Sequence, residues 1–175
     1  MKVIALVGRS GAGKSAIADA LTADYGIPRI KTCTTRAPRS ENEFYDFLTE
    51  DDFLARLHAG DFVLADEYAG AYYGTPVKRL EQGGLIIVEP AGALELKQRL
   101  GDKCFIIGVL ANVGTIVNRL VARGDDSESI HRRLALDGDY FDARLLLYRC
   151  DAIIRNDERP LADVVRSVAA LVNSL

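Results

Sequence analysis

The chain has 175 residues, 49% of them hydrophobic and 27% charged, with 15 Gly and 5 Pro. A single core can form at this length without disulfide or metal support, and the composition excludes a disordered or low-complexity polypeptide. The net charge of -3 argues against a nucleic-acid-coating protein, although residues 1–40 carry +5 and residues 41–175 carry -8, a bias that suggests a local anion site near the N-terminus.

Strand and helix signals alternate along the chain. Val3 to Val7 is a short apolar run ending before Gly8 and reads as a buried parallel strand. Residues 14–24 follow as a helix, with Ile17, Ala20 and Leu21 on one face. Residues 32–82 break the rhythm. The stretch from Thr32 to Phe47 is polar and turn-rich. Thr49 with Glu50, Asp51 and Asp52 predicts a capped helix start, with Phe53, Leu54 and Leu57 facing inward. Phe62 to Tyr73 reads as strand pieces around Gly70. Leu85–Val88, Cys104–Leu110 and Ala152–Ile154 predict three further buried strands, separated by helices near 91–100 and 113–123. A last helix opens at Pro160, with Leu161, Val164, Val165, Val168, Leu171 and Val172 at helical spacing. Strands joined by helices imply βαβ crossovers, hence an α/β three-layer fold with a parallel sheet covered on both faces.

No apolar run approaches the roughly 20 residues that span a bilayer, and the first residues lack the features of a secretory signal. Cys33, Cys104 and Cys150 are widely spaced and odd in number, which fits a reducing cytoplasm; Cys104 and Cys150 are expected to be buried thiols. His58 and His131 have no partners that would suggest a metal site and are expected on exposed helix surfaces.

Gly8, Arg9, Ser10, Gly11, Ala12, Gly13, Lys14 and Ser15 match GxxxxGK(S/T) between the first strand and the first helix. Such a P-loop lets backbone N–H groups converge on phosphate oxygens at a helix N-terminus. Lys14 is expected to reach the β- and γ-phosphates of ATP, and Ser15 to ligand Mg²⁺. Arg36 and Arg39 lie three residues apart around Pro38, so two guanidinium forks can clamp one phosphate, with Tyr45 and Tyr73 as further hydroxyl donors.

These blocks, together with the segments at 62–76, 119–134 and 155–157, resemble the guanylate kinases over nearly the whole chain. The resemblance implies a P-loop NTPase core (1–31, 83–122 and 135–175), an inserted acceptor-binding subdomain (32–82) and a short lid (123–134) in one domain. It implies ATP-dependent phosphorylation of a nucleoside monophosphate, GMP or dGMP first, with no nucleic acid or membrane as partner and a monomeric or homodimeric state. Arg36, Arg39, Tyr45 and Tyr73 would hold the acceptor phosphate, with Thr32, Thr75 and Glu89 nearby. Arg123 and Arg133 would sit on the lid, unless both pair with the acids of the intervening segment. Asn156 would lie near the adenine, and Glu89 would join Ser15 at Mg²⁺.

Departures concern the acceptor base. The family's guanine-reading Glu falls on Leu64, and its DxD reads Ile87-Val88-Glu89 here. Either Thr32 or Cys33 replaces a serine that meets the base, and Glu41 or Glu43 could substitute for a missing acid after the arginines. The sequence is similar to the ribose 1,5-bisphosphate phosphokinases in having Leu64 but keeps the arginine clamp. A non-guanine acceptor is therefore the alternative. A non-catalytic guanylate-kinase-like binding module fits less well, because Lys14 and Ser15 are present.

Overall fold

The structure, a computed structural model, describes residues 2–38, 43–68, 70–140, 149–157 and 159–175. In chain order the elements are β1 (Val3–Val7), α1 (Lys14–Tyr25), β2 (Thr32–Thr34), β3 (Tyr45–Phe47), α2 (Glu50–His58), β4 (Phe62–Tyr68), β5 (Ala71–Pro76) and α3 (Val77–Leu80). There follow β6 (Gly84–Ile87), α4 (Pro90–Leu100), β7 (Cys104–Leu110), α5 (Val113–Ala122), α6 (Ser127–Tyr140), β8 (Ala152–Arg155) and α7 (Leu161–Asn173).

Every residue of β1 is buried. It lies inside a parallel sheet of order β6-β1-β7-β8. Successive side chains of a strand point to opposite faces. Val3, Ala5 and Val7 accordingly pack with Ala93 and Leu96 of α4, while Ile4 and Leu6 pack with Ile17 and Leu21 of α1 and Val164, Val165 and Val168 of α7. This two-sided cover explains the uninterrupted apolar strands, each buried Leu or Val contributing about 1.5–3 kcal/mol. α1 stops at Gly26, whose left-handed backbone lets its N–H reach the carbonyls of Leu21 and Thr22.

Residues 32–76 supply a second, mixed sheet of order β3-β2-β5-β4, in which β4 and β5 form an antiparallel hairpin. α2 covers it through Phe53, fully buried and stacked against Phe62 at 4.6 Å and Tyr72 at 5.4 Å. Thr49 caps α2 by accepting from the Asp52 N–H.

Several expectations shift. The polar stretch around Thr32 and Tyr45 contains β2 and β3, whose three-residue length gives too little alternation to read. Leu57 is 38% exposed instead of facing inward, because one Phe already fills the α2–sheet contact. The second core strand is Gly84–Ile87, one residue earlier than predicted; Val88 follows it with a long N–H bond of 3.4 Å to the Leu6 carbonyl. Cys104 is buried, but Cys150 is only half-buried. His58 and His131 are exposed on helices, as expected. No helix among the described residues is long and apolar enough to cross a membrane.

Candidate active site

The loop between β1 and α1 is forced by close approach as much as by curvature. A Cβ on Gly8 would lie 2.2 Å from the Val109 carbonyl oxygen of the neighbouring strand. A Cβ on Gly13, the N-cap of α1 with φ 97°, would lie 2.2 Å from Asn156 Nδ2. Only glycine meets both the space and the backbone angle at Gly13. Lys14 folds back over the loop and donates to the carbonyls of Gly8 and Arg9, the latter at 3.1 Å. Burial pushes its ammonium below its ordinary pKa, and the carboxylates of Glu89 and Asp137 oppose that shift.

A cavity of about 340 Å³ opens beside the loop. Ser10, Gly11, Gly13, Lys14 and Ser15 form one wall. Thr32, Tyr45, Tyr73 and Thr75 of the second sheet line the cavity too, with Arg36 just after β2 and Glu89 before α4. Arg123 and Arg133 complete the rim. Residues that the sequence scattered over 123 positions thus share one surface. The predicted Gly8, Arg9, Ala12 and Asn156 do not line it. Arg39 and Glu41 lie outside the described residues.

The second sheet places each acceptor-side group. Arg36 Nη2 donates to Glu43 Oε1 at 2.8 Å and Nη1 to Oε2 at 3.3 Å, a fork-to-fork pair that fixes the guanidinium plane. The guanidinium also lies 5.6 Å from the Tyr45 ring centroid, and Tyr45 meets Tyr73 edge-on at 6.3 Å. Burial pushes the Tyr45 hydroxyl above its ordinary pKa, so it stays a hydrogen-bond donor. Glu43 is therefore the partner of the arginine. Thr32 lines the cavity, whereas Cys33 is fully buried on the opposite strand face and accepts from Arg56 Nη1 at 3.3 Å. Of the two, Thr32 is the one that lines the cavity.

Glu89 caps the start of α4 by position only, with no side-chain cap bond. Its Oε2 is buried without a hydrogen-bond partner. Burial raises its pKa, reinforced by Asp137 and Asp66 and opposed by Lys14. Arg123 donates to Asp125, and Arg133 Nε lies 4.0 Å from the same carboxylate. Both rim arginines thus approach the acid that the sequence offered as their alternative partner. Arg133 also donates to Ser10 Oγ at 3.3 Å.

Asn156 is 3% exposed, and its Nδ2 donates to the Ala12 carbonyl at 2.8 Å. It braces the phosphate loop through the Ala12 carbonyl, beside the backbone of Gly13. Four cavity residues with charged or hydroxyl side chains escaped the sequence reading: Asp66, Tyr68, Arg119 and Asp137. Arg119 donates to the Ala12 and Asn156 carbonyls at 3.2 and 2.6 Å, and its i, i+4 relation to Arg123, the C-cap of α5, was the available signal. Asp66 and Tyr68 share the strand face of Leu64, as period-two spacing could have indicated. Nothing in the local sequence marked Asp137.

The guanylate kinase family model matches residues 1–158 of this chain. The chain belongs to the guanylate kinase family. It is 30% identical to the guanylate kinase of Halalkalibacterium halodurans, over 98% of this chain and 87% of that protein. To the guanylate kinase of Desulfitobacterium hafniense it is 34% identical, over 95% of this chain and 88% of that protein. The crystal structure of guanylate kinase from Anaplasma phagocytophilum shares its fold, with a TM-score of 0.73 at 19% identity over 99% of this chain and 85% of that one. Within this guanylate kinase fold, Leu64 pairs across the hairpin with Thr75 and lines the cavity. It is 9% exposed, and the absence of a side chain at Gly92 makes room for it.

Proposed function

We propose that this guanylate kinase family member transfers the γ-phosphoryl group of MgATP to a nucleoside monophosphate, GMP or dGMP, yielding ADP and GDP or dGDP. One observation carries the reading: the phosphate loop and the Arg36–Tyr45–Tyr73 cluster line the same cavity. Donor and acceptor phosphates are both anions, so the main task is to bring them into line and neutralise them. The loop amides, Lys14 and Ser15 take the ATP phosphates. Arg36, Tyr45 and Tyr73, with Arg39 added, hold the acceptor phosphate. Arg123 and Arg133 leave Asp125 to meet the charge of the transferring group as residues 123–134 close, carried on a core of 1–31, 83–122 and 135–175 and an acceptor unit of 32–82. No side-chain base is required, because the attacking phosphate oxygen is already ionised.

Ser15 at the start of α1 and Glu89, whose Oε2 is buried and unpartnered, suit a hydrated Mg²⁺ held mainly by the nucleotide phosphates. When bound, that ion would neutralise charge on the β- and γ-phosphates. Three free cysteines agree with a reducing cytoplasm.

A second reading, a non-guanine acceptor such as ribose 1,5-bisphosphate, is favoured by Leu64. An apolar side chain there cannot accept from the donor edge of guanine, and an unpaired polar edge costs about 1–3 kcal/mol. ADP release from MgATP is to be measured with GMP, dGMP, AMP, CMP, UMP, dTMP and ribose 1,5-bisphosphate. Preference for GMP or dGMP supports the first reading. Turnover confined to ribose 1,5-bisphosphate or to another base supports the second, and no turnover with any acceptor would overturn both.

A further inference from the structure

Asp137 is 1% exposed on α6, and its carboxylate joins two parts of the cavity. Oδ2 accepts from the Ser10 backbone N–H at 2.9 Å, and Oδ1 accepts from the Tyr68 hydroxyl at 2.8 Å. Arg133, one turn earlier, donates to Ser10 Oγ. α6 therefore grips one phosphate-loop residue by its amide and by its hydroxyl. On the other side Tyr68 meets Tyr73 edge-on at 6.5 Å, and Tyr73 meets Tyr45 at 6.3 Å. Contacts run without a break from the phosphate loop to the acceptor tyrosines, and Asp137 is their midpoint.

Backbone N–H groups of such a loop are anion donors. A carboxylate on the Ser10 amide is an anion already seated among them. Phosphate oxygens would need the same donors, and two anions at that spacing repel each other. We propose that Asp137 is an internal occupant of the phosphate loop that nucleotide phosphate displaces, and that its tie to Tyr68 links this displacement to the acceptor site. The proposal rests on the phosphotransfer reading above. Asp137 is a positioning residue: it acts through Ser10 and Tyr68. A phosphate drawn onto Tyr73 repacks the ring on which Tyr68 rests, so both substrates work against the same carboxylate bridge. The first to bind meets the cost of breaking it and the second does not, which makes their binding mutually favourable, with the same factor in either order.

The test measures Kd for the β,γ-imido analogue of ATP with Mg²⁺, with and without GMP, in the wild type, Asp137→Asn and Tyr68→Phe. Asparagine keeps the shape and can still bridge both partners, but it removes the charge. Without GMP, Asp137→Asn is expected to bind the analogue at least fivefold more tightly. The GMP-dependent tightening of the wild type is expected to shrink at least threefold in both variants. In turnover, Asp137→Asn should lower KM for ATP more than it changes kcat, a split that a merely structural role would not produce. Unchanged or weaker analogue binding by Asp137→Asn overturns the displacement. Equal coupling in all three proteins overturns the link. A wild type that binds the analogue but not GMP overturns the link and the guanine acceptor, while the Asp137→Asn comparison still decides the displacement. A wild type that binds no analogue overturns this proposal together with phosphotransfer.

Discussion

Asn156 and Ala12, 144 positions apart, are joined by a buried hydrogen bond of 2.8 Å from the Asn Nδ2 to the Ala carbonyl. The same side chain fills the space that the missing Cβ of Gly13 leaves. The phosphate loop therefore rests on the turn after β8. Asn156→Ala is expected to destabilise the protein by about 0.5–1.5 kcal/mol, because it removes one of the two donors to that carbonyl and leaves Arg119 Nη1 at 3.2 Å as the other. It is also expected to raise KM for ATP with a smaller change in kcat. Thermal melting beside steady-state kinetics checks this; an altered preference for ATP over GTP at unchanged melting temperature would mean a contact with the base instead.

Lys14→Ala should reduce kcat by about 10²–10³-fold or more, as loss of a preorganised charge at a transferring phosphate does. Its fold should survive. Burial desolvates the Lys14 ammonium, so the melting temperature should hold or rise. Retained turnover would remove Lys14 from the phosphate site.

Glu89 links stability to pH. Burial raises its carboxyl above its ordinary value of 4.5. Below that pH both the folded and the unfolded chain carry the proton, and Glu89 costs nothing. As pH rises from there, the unfolded chain ionises first, so stability falls until the folded-state pKa is passed. Glu89→Gln should therefore melt higher than the wild type at pH 7, with the difference closing near pH 4. Its activity should nevertheless drop. A constant difference across the pH range would remove Glu89 as the source.

Leu64→Glu tests the acceptor register. A carboxylate at this buried site should cost about 1–3 kcal/mol of stability. If Leu64 stands where the base is read, the same variant should favour GMP over AMP more strongly than the wild type does. Calorimetric Kd values for the two nucleotides decide it. Unchanged preference would move the reading position elsewhere on the cavity wall.

Gly74→Ala probes the hairpin that carries Tyr73 and Thr75. A Cβ there would approach Phe62 Cδ1 to 2.8 Å and Phe53 Cε2 to 3.0 Å, inside the aromatic stack beneath the sheet. Overpacking of this kind costs about 1–3 kcal/mol. We expect a lower melting temperature and a raised acceptor KM with the ATP KM little changed, measured in the same assay.

Local sequence carried much of this molecule because several of its elements obey short-range rules. Val3–Val7, Gly8–Ser15 and the α7 repeat of Val164, Val165 and Val168 each announce themselves within a few residues, through strand burial, backbone geometry or helical period. The acceptor clamp was legible as residue types, Arg36 beside Tyr45, but its pairing with Glu43 was not. β2 and β3 are too short for periodicity and exist because the β4–β5 hairpin gives them an edge to join.

The sequence by itself determined a phosphate loop on a parallel sheet and an arginine–tyrosine set able to face it. Those depend on spacing and side-chain chemistry within one segment at a time. Only the tertiary structure decided that Thr32 and not Cys33 lines the cavity, that Asn156 supports the loop through the Ala12 carbonyl, and that Asp137 reaches the Ser10 amide. The strand face chosen by Thr32 follows from pairing with neighbours, and the two contacts at the loop bring together residues more than 120 positions apart. Such choices are set by how the chain packs, through hydrogen bonds and burial that no local pattern records.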